Sequence, residues 1–411
     1  MVDYGHQTLN PGKYPFSINS FLCLPLWWNI FLAPKGRVYL KIVIKKKEKM
    51  KKQMIHKCIA LTLCILMMSG CSENVIPTNT NNPPEDVIAF TMPGEEEEHE
   101  GTWLQWPHPY EYGPSTPVRY DPIWVAMAKA LHTGEKVHIV AYDQNEQSRI
   151  TQLLREADVD MNQIDFLIER TEDVWVRDNG PIFVRDENNN LMITNWEFNG
   201  WGEKANYRLD NQIPTHVSRV TGIAKVDIDM VLEGGSIEID GNGTLMATRS
   251  SILNDNRNPG LSQAEAEAYF KHYLGVTNFV WLDGIVGQDI TDHHIDGFAR
   301  FVQGNVLLTH TRDNMYSPGE YEVLSTATNA QGVPYTRVEL PVAPRSEGSY
   351  MNYYVGNEVV IVPNYNESTD AQANAIIQGL YPNRTVVGVN VLELWEDGGA
   401  IHCVTQQQPR Q

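Results

Sequence analysis

Cysteine is scarce in this chain, and its distribution separates two parts of the sequence. Five cysteines occur among 411 residues, and four of them lie within the first 71 residues. Cys403 is therefore the only cysteine of the long C-terminal part, and a lone thiol cannot form an internal disulfide. This excludes a disulfide-stabilised scaffold and leaves Cys403 as either a small buried apolar residue or a reactive thiol.

Positive charge is also scarce after residue 70. Residues 1–70 contain 11 Lys and Arg against 2 Asp and Glu, whereas residues 71–411 contain 21 against 49, a net charge of −28. An acidic body of this kind repels nucleic acids and anionic lipids and attracts cations. The sequence therefore predicts no nucleic-acid partner, and a small cationic ligand suits the charge.

The apolar run at residues 58–68 is too short for an ordinary membrane span. It follows a basic segment and precedes Ser69-Gly70-Cys71. This order predicts a secretory signal with the cleavage box of a bacterial lipoprotein. Cys71 would then be lipidated and become the mature N-terminus, so we expect an exported protein that meets the cell envelope only through a lipid anchor. A retained membrane anchor is the alternative.

The composition predicts four segments. Residues 1–49 lack periodicity and precede Met50, a natural start for the signal, so we interpret them as an upstream extension of the reading frame. Residues 50–71 form the predicted signal, and residues 72–86, rich in Asn, Thr and Pro, predict a flexible tether. Residues 87–411 contain no second linker and are treated as one large domain.

Local patterns in the body predict a mixed α/β structure. Ser262 and Glu265 form a capping box, which predicts a helix ending near Leu274. The acidic run at residues 95–98 is interpreted as solvated surface, and no sequence repeat of fixed length is visible. Further predictions are helices at 122–132, 146–157 and 370–380, strands at 137–142, 164–168, 279–282, 298–302, 306–309, 359–362 and 385–391, and hairpins with turns at 186–190 and 240–243.

Four polar segments place reactive side chains beside glycine. Asp178 precedes a Gly-Pro turn, Glu233 precedes two glycines, and His294 and Asp296 lie two residues apart, on the same side of an extended chain. Two glycines also precede Cys403, where they let the backbone turn and approach a ligand closely. Each residue alone has a structural interpretation, as a turn cap, a surface ion pair, a satisfied core imidazole or a buried thiol.

Two other site types fit parts of this pattern. A His-His-x-Asp segment can bind zinc or iron if a thiolate supplies a third ligand. A papain-like protease also uses Cys and His, but its nucleophile comes early in the chain and on a helix. Here the cysteine comes last and follows a Gly-Gly loop.

The combination suits attack of a thiolate on a guanidinium. Two carboxylates can hold the planar cation through its N–H groups. The thiolate attacks the central carbon, a histidine protonates the departing ammonia, and water then hydrolyses the covalent intermediate with the histidine acting as base.

From about Phe90 to Pro409 the sequence resembles the agmatine deiminase family, which belongs with the bacterial peptidylarginine deiminases to the guanidine-modifying (pentein) superfamily. Eight ordered segments carry the resemblance. They are MPG at 92–94, W-x-x-WP at 103–107, WVRD-x-GP at 175–181, NW-x-FN-x-WG at 195–202, LEGGS at 232–236, HID at 294–296, SYMNY at 349–353 and IHCVTQQ at 401–407.

The resemblance implies a role for each polar residue. Cys403 would be the nucleophile and His294 the general acid and base. Asp178 and Asp296 would hold the guanidinium, and Glu233 would orient His294. The aromatic motifs add Trp103 and Trp201 as residues that contact the substrate.

The resemblance also implies the fold and the requirements of the enzyme. We expect a five-bladed α/β propeller with pseudo-fivefold symmetry, the pentein fold, with a central active site. No metal and no cofactor are expected. The implied reaction is the hydrolysis of agmatine to N-carbamoylputrescine and ammonia through a covalent thiouronium intermediate.

Two departures from the family pattern leave the substrate open. Residues 397–403 read DGGAIHC where the agmatine enzymes usually read GGGNIHC, and His293 stands where they usually carry glycine. Deimination of free or peptide-terminal arginine to citrulline is therefore an alternative by the same chemistry. A lipoprotein that binds polyamines without turning them over is an alternative of another class.

Overall fold

The computed structural model describes residues 87–314 and 317–411. The predicted extension, signal and tether at 1–49, 50–71 and 72–86, including Cys71, lie outside these residues. Within the described ranges, no helix is both long and apolar enough to cross a membrane.

Seventeen strands and eleven helices are defined in the described residues. The strands are β1 Phe90–Thr91, β2 His99–Gln105, β3 Lys136–Ala141, β4 Ile164–Ile168, β5 Ile182–Asp186, β6 Leu191–Glu197, β7 Lys225–Val231, β8 Ile237–Ile239, β9 Thr244–Thr248, β10 Asn278–Leu282, β11 Ala299–Val302, β12 Val306–His310, β13 Thr336–Leu340, β14 Tyr354–Val355, β15 Val359–Asn364, β16 Thr385–Asn390 and β17 Gln406–Pro409. The helices are α1 Pro109–Tyr112, α2 Thr116–Leu131, α3 Gln144–Glu156, α4 Val176–Asn179, α5 Gly200–Glu203, α6 Ile213–Thr221, α7 Arg249–Ile252, α8 Gln263–Leu274, α9 Pro318–Thr326, α10 Asp370–Leu380 and α11 Leu392–Trp395.

The strands form five small sheets, each built on the same plan. In every sheet a central strand pairs antiparallel with one neighbour and parallel with the other, as in β5-β6-β7, β8-β9-β10, β11-β12-β13 and β14-β15-β16. Helices connect the parallel pairs, because parallel neighbours need a crossover. The sequence shows no repeat of fixed length, but the structure repeats the same strand arrangement five times. The predicted five-bladed α/β architecture is therefore confirmed.

The fifth sheet joins the two ends of the domain. Its order is β17-β2-β3-β4, and β17 pairs antiparallel with β2, with Gln406 opposite Trp103. The last strand of the chain therefore completes the first blade. This closure fixes the segment that carries Cys403, which immediately precedes β17.

Most local predictions are confirmed within a few residues. The capping box at Ser262 and Glu265 is present and begins α8, and both predicted hairpins form. Helix α2 begins at Thr116, six residues before the predicted start at Pro122. Pro122 lies inside the helix, so the proline taken as a helix start is a tolerated interior residue.

The core lies in several apolar clusters between sheets and helices. The largest contains the fully buried Trp124 and Leu131 of α2 and Val360 and Ile361 of β15. A second cluster packs Phe270 of α8 against the β8–β10 sheet and its neighbour. These clusters pack the sheets against their helices and against neighbouring sheets.

Candidate active site

Short turns that enter four of the blades converge on one place. Each lies just before the first strand of a blade: α4 before β5, a 3-10 turn Gly234–Ser236 before β8, Ile295–Gly297 before β11 and His402–Val404 before β17. Helix α4 contacts both Gly234–Ser236 and His402–Val404, and Gly234–Ser236 contacts Ile295–Gly297. The pseudo-symmetry of the fold therefore brings distant parts of the sequence into a common site.

Cys403 lies in this convergence at the end of a tightly packed loop. Gly398 has a φ of 105°, in the left-handed region that favours glycine. A methyl group at Gly399 would lie 2.3 Å from the ring of Trp175, so the close approach requires glycine there as well. The amide of Asn352, from the turn before β14, donates to the sulfur of Cys403 over 3.2 Å.

The thiol of Cys403 is in an acidic and largely desolvated setting. Burial, together with the carboxylates of Asp296 and Asp178, raises the pKa of Cys403 well above its usual value. Its sulfur lies 3.8 Å from Oδ2 of Asp296. The resting residue is therefore a thiol, and a cation beside it would favour the thiolate.

His294 is surrounded by carboxylates. Its Nε2 lies 2.9 Å from Oε2 of Glu233, and its Nδ1 lies 3.5 Å from Oδ1 of Asp178. Burial opposes its protonation, but the charges of Asp178, Glu233 and Asp296 outweigh burial and raise the pKa of His294 to about 9. His294 is therefore a cation at neutral pH and has a proton to give.

Glu233 is held by a buried arginine behind the histidine. Nε of Arg257 donates to Oε1 of Glu233 over 2.7 Å, and Arg257 also pairs with Asp292. Both side chains of the Arg257–Glu233 pair are almost completely excluded from solvent. The carboxylate that contacts His294 thus has a fixed position.

Asp178 accepts two hydrogen bonds that fix its carboxylate. The backbone N–H of Gly235 donates to Oδ1 over 3.0 Å, and the indole N–H of Trp201 donates to Oδ2 over 2.8 Å. Burial raises the pKa of Asp178, and the nearby carboxylates of Asp296 and Glu233 raise it further. Trp201, predicted to contact the substrate, is placed where it orients a predicted substrate-binding carboxylate.

Asp296 is held from the opposite side. Nδ1 of His402 lies 2.7 Å from its Oδ2. Burial raises the pKa of Asp296. The hydrogen bond from His402 outweighs burial, together with the positive charges of His402, His294 and Arg300, and the pKa stays below its usual value. Asp296 is therefore ionised at neutral pH.

The three central side chains surround the backbone of Gly235. A methyl group at this position would lie 2.7 Å from Oδ1 of Asp178, 2.7 Å from Nδ1 of His294 and 3.1 Å from Oδ2 of Asp296. The absence of a side chain is what lets these groups come together. All five predicted catalytic residues, Cys403, His294, Glu233, Asp178 and Asp296, are thus brought together by the structure.

Trp103 is placed differently. It is 3% exposed, lies in an apolar cluster with Val140 and Phe183, and its indole N–H donates to Gln408 over 2.9 Å. The side chain therefore fills the space between two blades and supports the pairing of β17 with β2. This placement favours a structural role over the predicted contact with substrate.

The acidic run at residues 95–98 was interpreted as solvated surface, and this is wrong for Glu95. Its carboxylate lies 2.7 Å from Nε2 of His402 and 3.0 Å from Nη2 of Arg300. Those charges and that of Arg177 outweigh the effect of burial and hold the pKa of Glu95 well below its usual value. Glu95, His402 and Asn352 at the centre of the site, and Arg257 and Arg300 behind it, are residues that sequence motifs did not identify as functional.

The departures from the family pattern also have a structural setting. His293 has a φ of 78° and stacks on Phe298, with ring centroids 4.5 Å apart. The left-handed backbone explains why glycine suits this position, although histidine tolerates it better than most residues. Asp397 is turned outward and pairs with Arg119 over 3.1 Å, whereas Ala400 is buried.

The geometry supports a metal centre less well than it supports proton transfer and cation binding. In the part of the chain that the structure describes, no group of three or more His, Cys, Asp and Glu side chains is arranged to hold an ion. Both ring nitrogens of His294 face carboxylates. The donor set therefore suits proton transfer and cation binding.

Comparisons with known proteins agree with this geometry. The agmatine deiminase of Pseudomonas aeruginosa is 34% identical over 80% of this chain and 98% of that protein. Among solved structures, the agmatine deiminase of Enterococcus faecalis has a TM-score of 0.72 and 27% identity, covering 78% of this chain and 96% of that one. A cysteine-to-serine variant of the C. jejuni agmatine deiminase with substrate bound has a TM-score of 0.69 and 25% identity, covering 78% and 96%.

The family match covers nearly the whole body of the protein. Residues 91–409 match the Porphyromonas-type peptidyl-arginine deiminase family, and this range includes every residue of the site. The chain belongs to the Porphyromonas-type peptidyl-arginine deiminase family.

Proposed function

We propose that the protein is a deiminase that hydrolyses agmatine to N-carbamoylputrescine and ammonia. The observation that carries the proposal is the arrangement around Gly235, where two carboxyl groups and an imidazole meet beside a half-buried thiol. The names of the relatives support agmatine as the substrate. The acidic site suits a planar cation whose N–H groups need carboxylate partners.

Substrate binding also activates the nucleophile. Without substrate, burial raises the pKa of Cys403 well above its usual value. A guanidinium held between Asp178 and Asp296 places a positive charge beside the sulfur, which favours the thiolate. The thiol therefore releases its proton to solvent when the substrate enters.

The chemistry then proceeds in two halves. The thiolate of Cys403 forms a bond to the guanidinium carbon, and His294, which carries a proton because its pKa is about 9, protonates the leaving nitrogen as the C–N bond breaks. Ammonia departs and leaves a thiouronium on Cys403. Neutral His294 then takes a proton from water, and the resulting hydroxide attacks the same carbon. The C–S bond breaks, the added hydroxyl loses its proton to solvent, and the ureido product and the thiolate are released.

A second candidate is deimination of arginine at a peptide end or as the free amino acid, giving citrulline. The observation that favours it is the family match, whose members are described as peptidyl-arginine deiminases. Both candidates use the same residues and differ only in what surrounds the guanidinium.

An ammonia-release assay separates the candidates. Agmatine, free arginine and an arginine-terminated peptide are compared at equal concentration, with putrescine as a control that lacks the guanidinium. We expect the highest kcat/KM for agmatine. A higher value for the peptide would replace agmatine by the second candidate, and release from none of them would refute deimination.

We also propose that the enzyme is exported and anchored by a lipid on Cys71. The basic start, the apolar run at 58–68 and the small residues before Cys71 support this. So does the extent of the family match, which begins at residue 91 and leaves the signal-like segment outside the enzyme domain. Labelled palmitate is expected to mark the wild type in bacterial cells and to be absent from Cys71→Ala. An unlabelled wild type in the cytoplasmic fraction would refute export.

A further inference from the structure

His402 bridges two carboxylates beside the reacting thiol. Its Nδ1 lies 2.7 Å from Oδ2 of Asp296, its Nε2 lies 2.7 Å from Oε2 of Glu95, and the residue is 1% exposed. Ionised carboxylates only accept hydrogen bonds, so both ring nitrogens must carry a proton. His402 is thus an imidazolium within the site, next to the nucleophile in sequence and distinct from the acid and base His294.

The far end of this bridge is anchored. Oε2 of Glu95 also lies 3.0 Å from Arg300 and 3.5 Å from Arg177, and its Oε1 accepts the backbone N–H of Val355 over 3.0 Å. A carboxylate with four partners has little freedom to move. The imidazolium of His402 is therefore held in place from behind and presents Nδ1–H in one direction, toward Asp296.

The backbone of His402 is fixed as well. Its N–H donates both to the carbonyl and to the side-chain oxygen of Asn352, each over 3.0 Å. The amide of the same Asn352 donates to the sulfur of Cys403. One asparagine thus sets the relative positions of the imidazolium and the thiol.

We propose that His402 is a positioning residue that holds Asp296 in the orientation that grips the guanidinium of the substrate, and this inference rests on the proposed deiminase function. Oδ2 of Asp296 is bound by His402, which leaves Oδ1 and the remaining lone pair of Oδ2 for the N–H groups of the substrate. Two carboxylates that face one cavity repel each other, so it is unfavourable for both to be ionised. Before substrate binds, the bridge from His402 favours ionisation of Asp296 over that of Asp178, and the positive charge of the guanidinium then favours ionisation of both.

The groups that face Asp296 make this selection necessary. Asp178 is a second carboxylate, and the thiol of Cys403 becomes negative during the reaction, so both oppose a charge on Asp296. His294 and Arg300 favour that charge, together with His402. Of these three cations, His402 is the one hydrogen-bonded to Asp296, and so it determines direction as well as charge.

Two substitutions separate positioning from a merely structural role. In His402→Asn the amide nitrogen takes the place of Nδ1 and can still donate to Asp296, while contact with Glu95 is lost. In His402→Gln the amide nitrogen takes the place of Nε2 and can still donate to Glu95, while the donor to Asp296 is lost. Both variants remove the charge and are similar in polarity, so that they differ mainly in which carboxylate keeps its donor.

The proposal predicts unequal losses. Removal of a charge-assisted hydrogen bond lowers kcat/KM by about ten- to one-hundredfold, and we expect a loss of this size for His402→Gln. His402→Asn, which keeps the donor to Asp296 but loses the charge, is expected to lose less activity than His402→Gln. Agmatine affinity, measured calorimetrically in the non-reacting Cys403→Ala background, should fall in the same order. His138→Gln is the control, because it makes the same exchange at a buried histidine of β3 that faces Asp165 of the neighbouring strand β4.

Equal losses in the two variants, accompanied by equal decreases of Tm, would show that His402 only supports the fold and would overturn the proposal. Wild-type kinetics in His402→Gln would overturn it too. Absence of ammonia release by the wild type would refute the proposed function instead. In that case the order of agmatine affinities in the Cys403→Ala background still decides whether His402 positions Asp296.

Discussion

The charge of Glu233 controls the protonation of His294, and Glu233→Gln tests this dependence. The substitution keeps the shape of the side chain and an oxygen that can accept the N–H of His294, but it removes the negative charge 2.9 Å from Nε2. Arg257 keeps Asp292 as its other partner, but its Nε–H, which donates to Oε1 of Glu233, would then face an amide nitrogen. The variant therefore changes the electrostatics of the site more than its packing.

The expected magnitude follows from the pKa of His294. A pKa raised from 6.5 to about 9 corresponds to net stabilisation of the imidazolium by about 3 kcal/mol. One opposite charge in close contact accounts for about one to three pH units of such a change. Loss of the charge of Glu233 should therefore return the pKa of His294 toward neutrality.

The pH dependence of kcat/KM reports this change. The reactive state, a thiolate beside an imidazolium, holds one proton fewer than the resting thiol and imidazolium. His294, with a pKa of about 9, loses its proton before Cys403 does. The fraction of enzyme that has lost one proton from the pair of His294 and Cys403 therefore rises as pH approaches about 9. We expect kcat/KM of the wild type to rise up to this pH, and the rising limb of Glu233→Gln to lie about one to three pH units lower.

The free energy of unfolding provides a second readout. Because the folded-state pKa of His294 lies above 6.5, its stabilising contribution is complete below about pH 6.5 and is lost as pH rises through about 9. The stability difference between wild type and Glu233→Gln should therefore shrink between these values. Glu135→Gln, at a buried glutamate beside His99, is the matched control. Coincident rising limbs for wild type and Glu233→Gln would refute the electrostatic assignment.

Two further predictions concern the groups around the substrate. Asp296→Asn and Asp178→Asn should each cost about 2–5 kcal/mol of transition-state stabilisation, which lowers kcat/KM for agmatine roughly thirtyfold to several-thousandfold. Asp178→Asn should also lower Tm, because one of the two N–H groups that donate to Asp178 would then face an amide N–H. Near-normal kinetics in both variants would mean that the guanidinium binds elsewhere. Gly235→Ala should abolish activity while the protein still folds, since its methyl group would displace Asp178 and His294; an active Gly235→Ala enzyme would show that these side chains need not meet.

Features with a local signal could be predicted from the sequence. The capping box at Ser262 and the two hairpins depend on neighbouring residues, and the structure contains them. The glycines before Cys403 also act locally, through a left-handed φ at Gly398 and a close contact at Gly399. Family motifs then identified the five residues that the fold brings together.

Features that depend on distant partners could not be predicted. Glu95 stands first in a run of four glutamates, and what distinguishes it is contact with His402, 307 residues later in the chain. The aromatic motif at Trp103 suggested a ligand contact, whereas the pairing of β17 with β2 buries it between blades. In each case the pairing of the last strand, β17, with β2 determines the surroundings of the side chain, and no short stretch of sequence contains that information.

The central claim is that Cys403 forms a covalent bond to the guanidinium carbon. Mass spectrometry of the wild type, quenched in acid during turnover of agmatine, tests this directly. We expect an added mass equal to the substrate minus ammonia on the peptide that contains Cys403, and Cys403→Ala should release no ammonia while still binding agmatine. An unmodified Cys403 peptide together with ammonia release by Cys403→Ala would contradict the account.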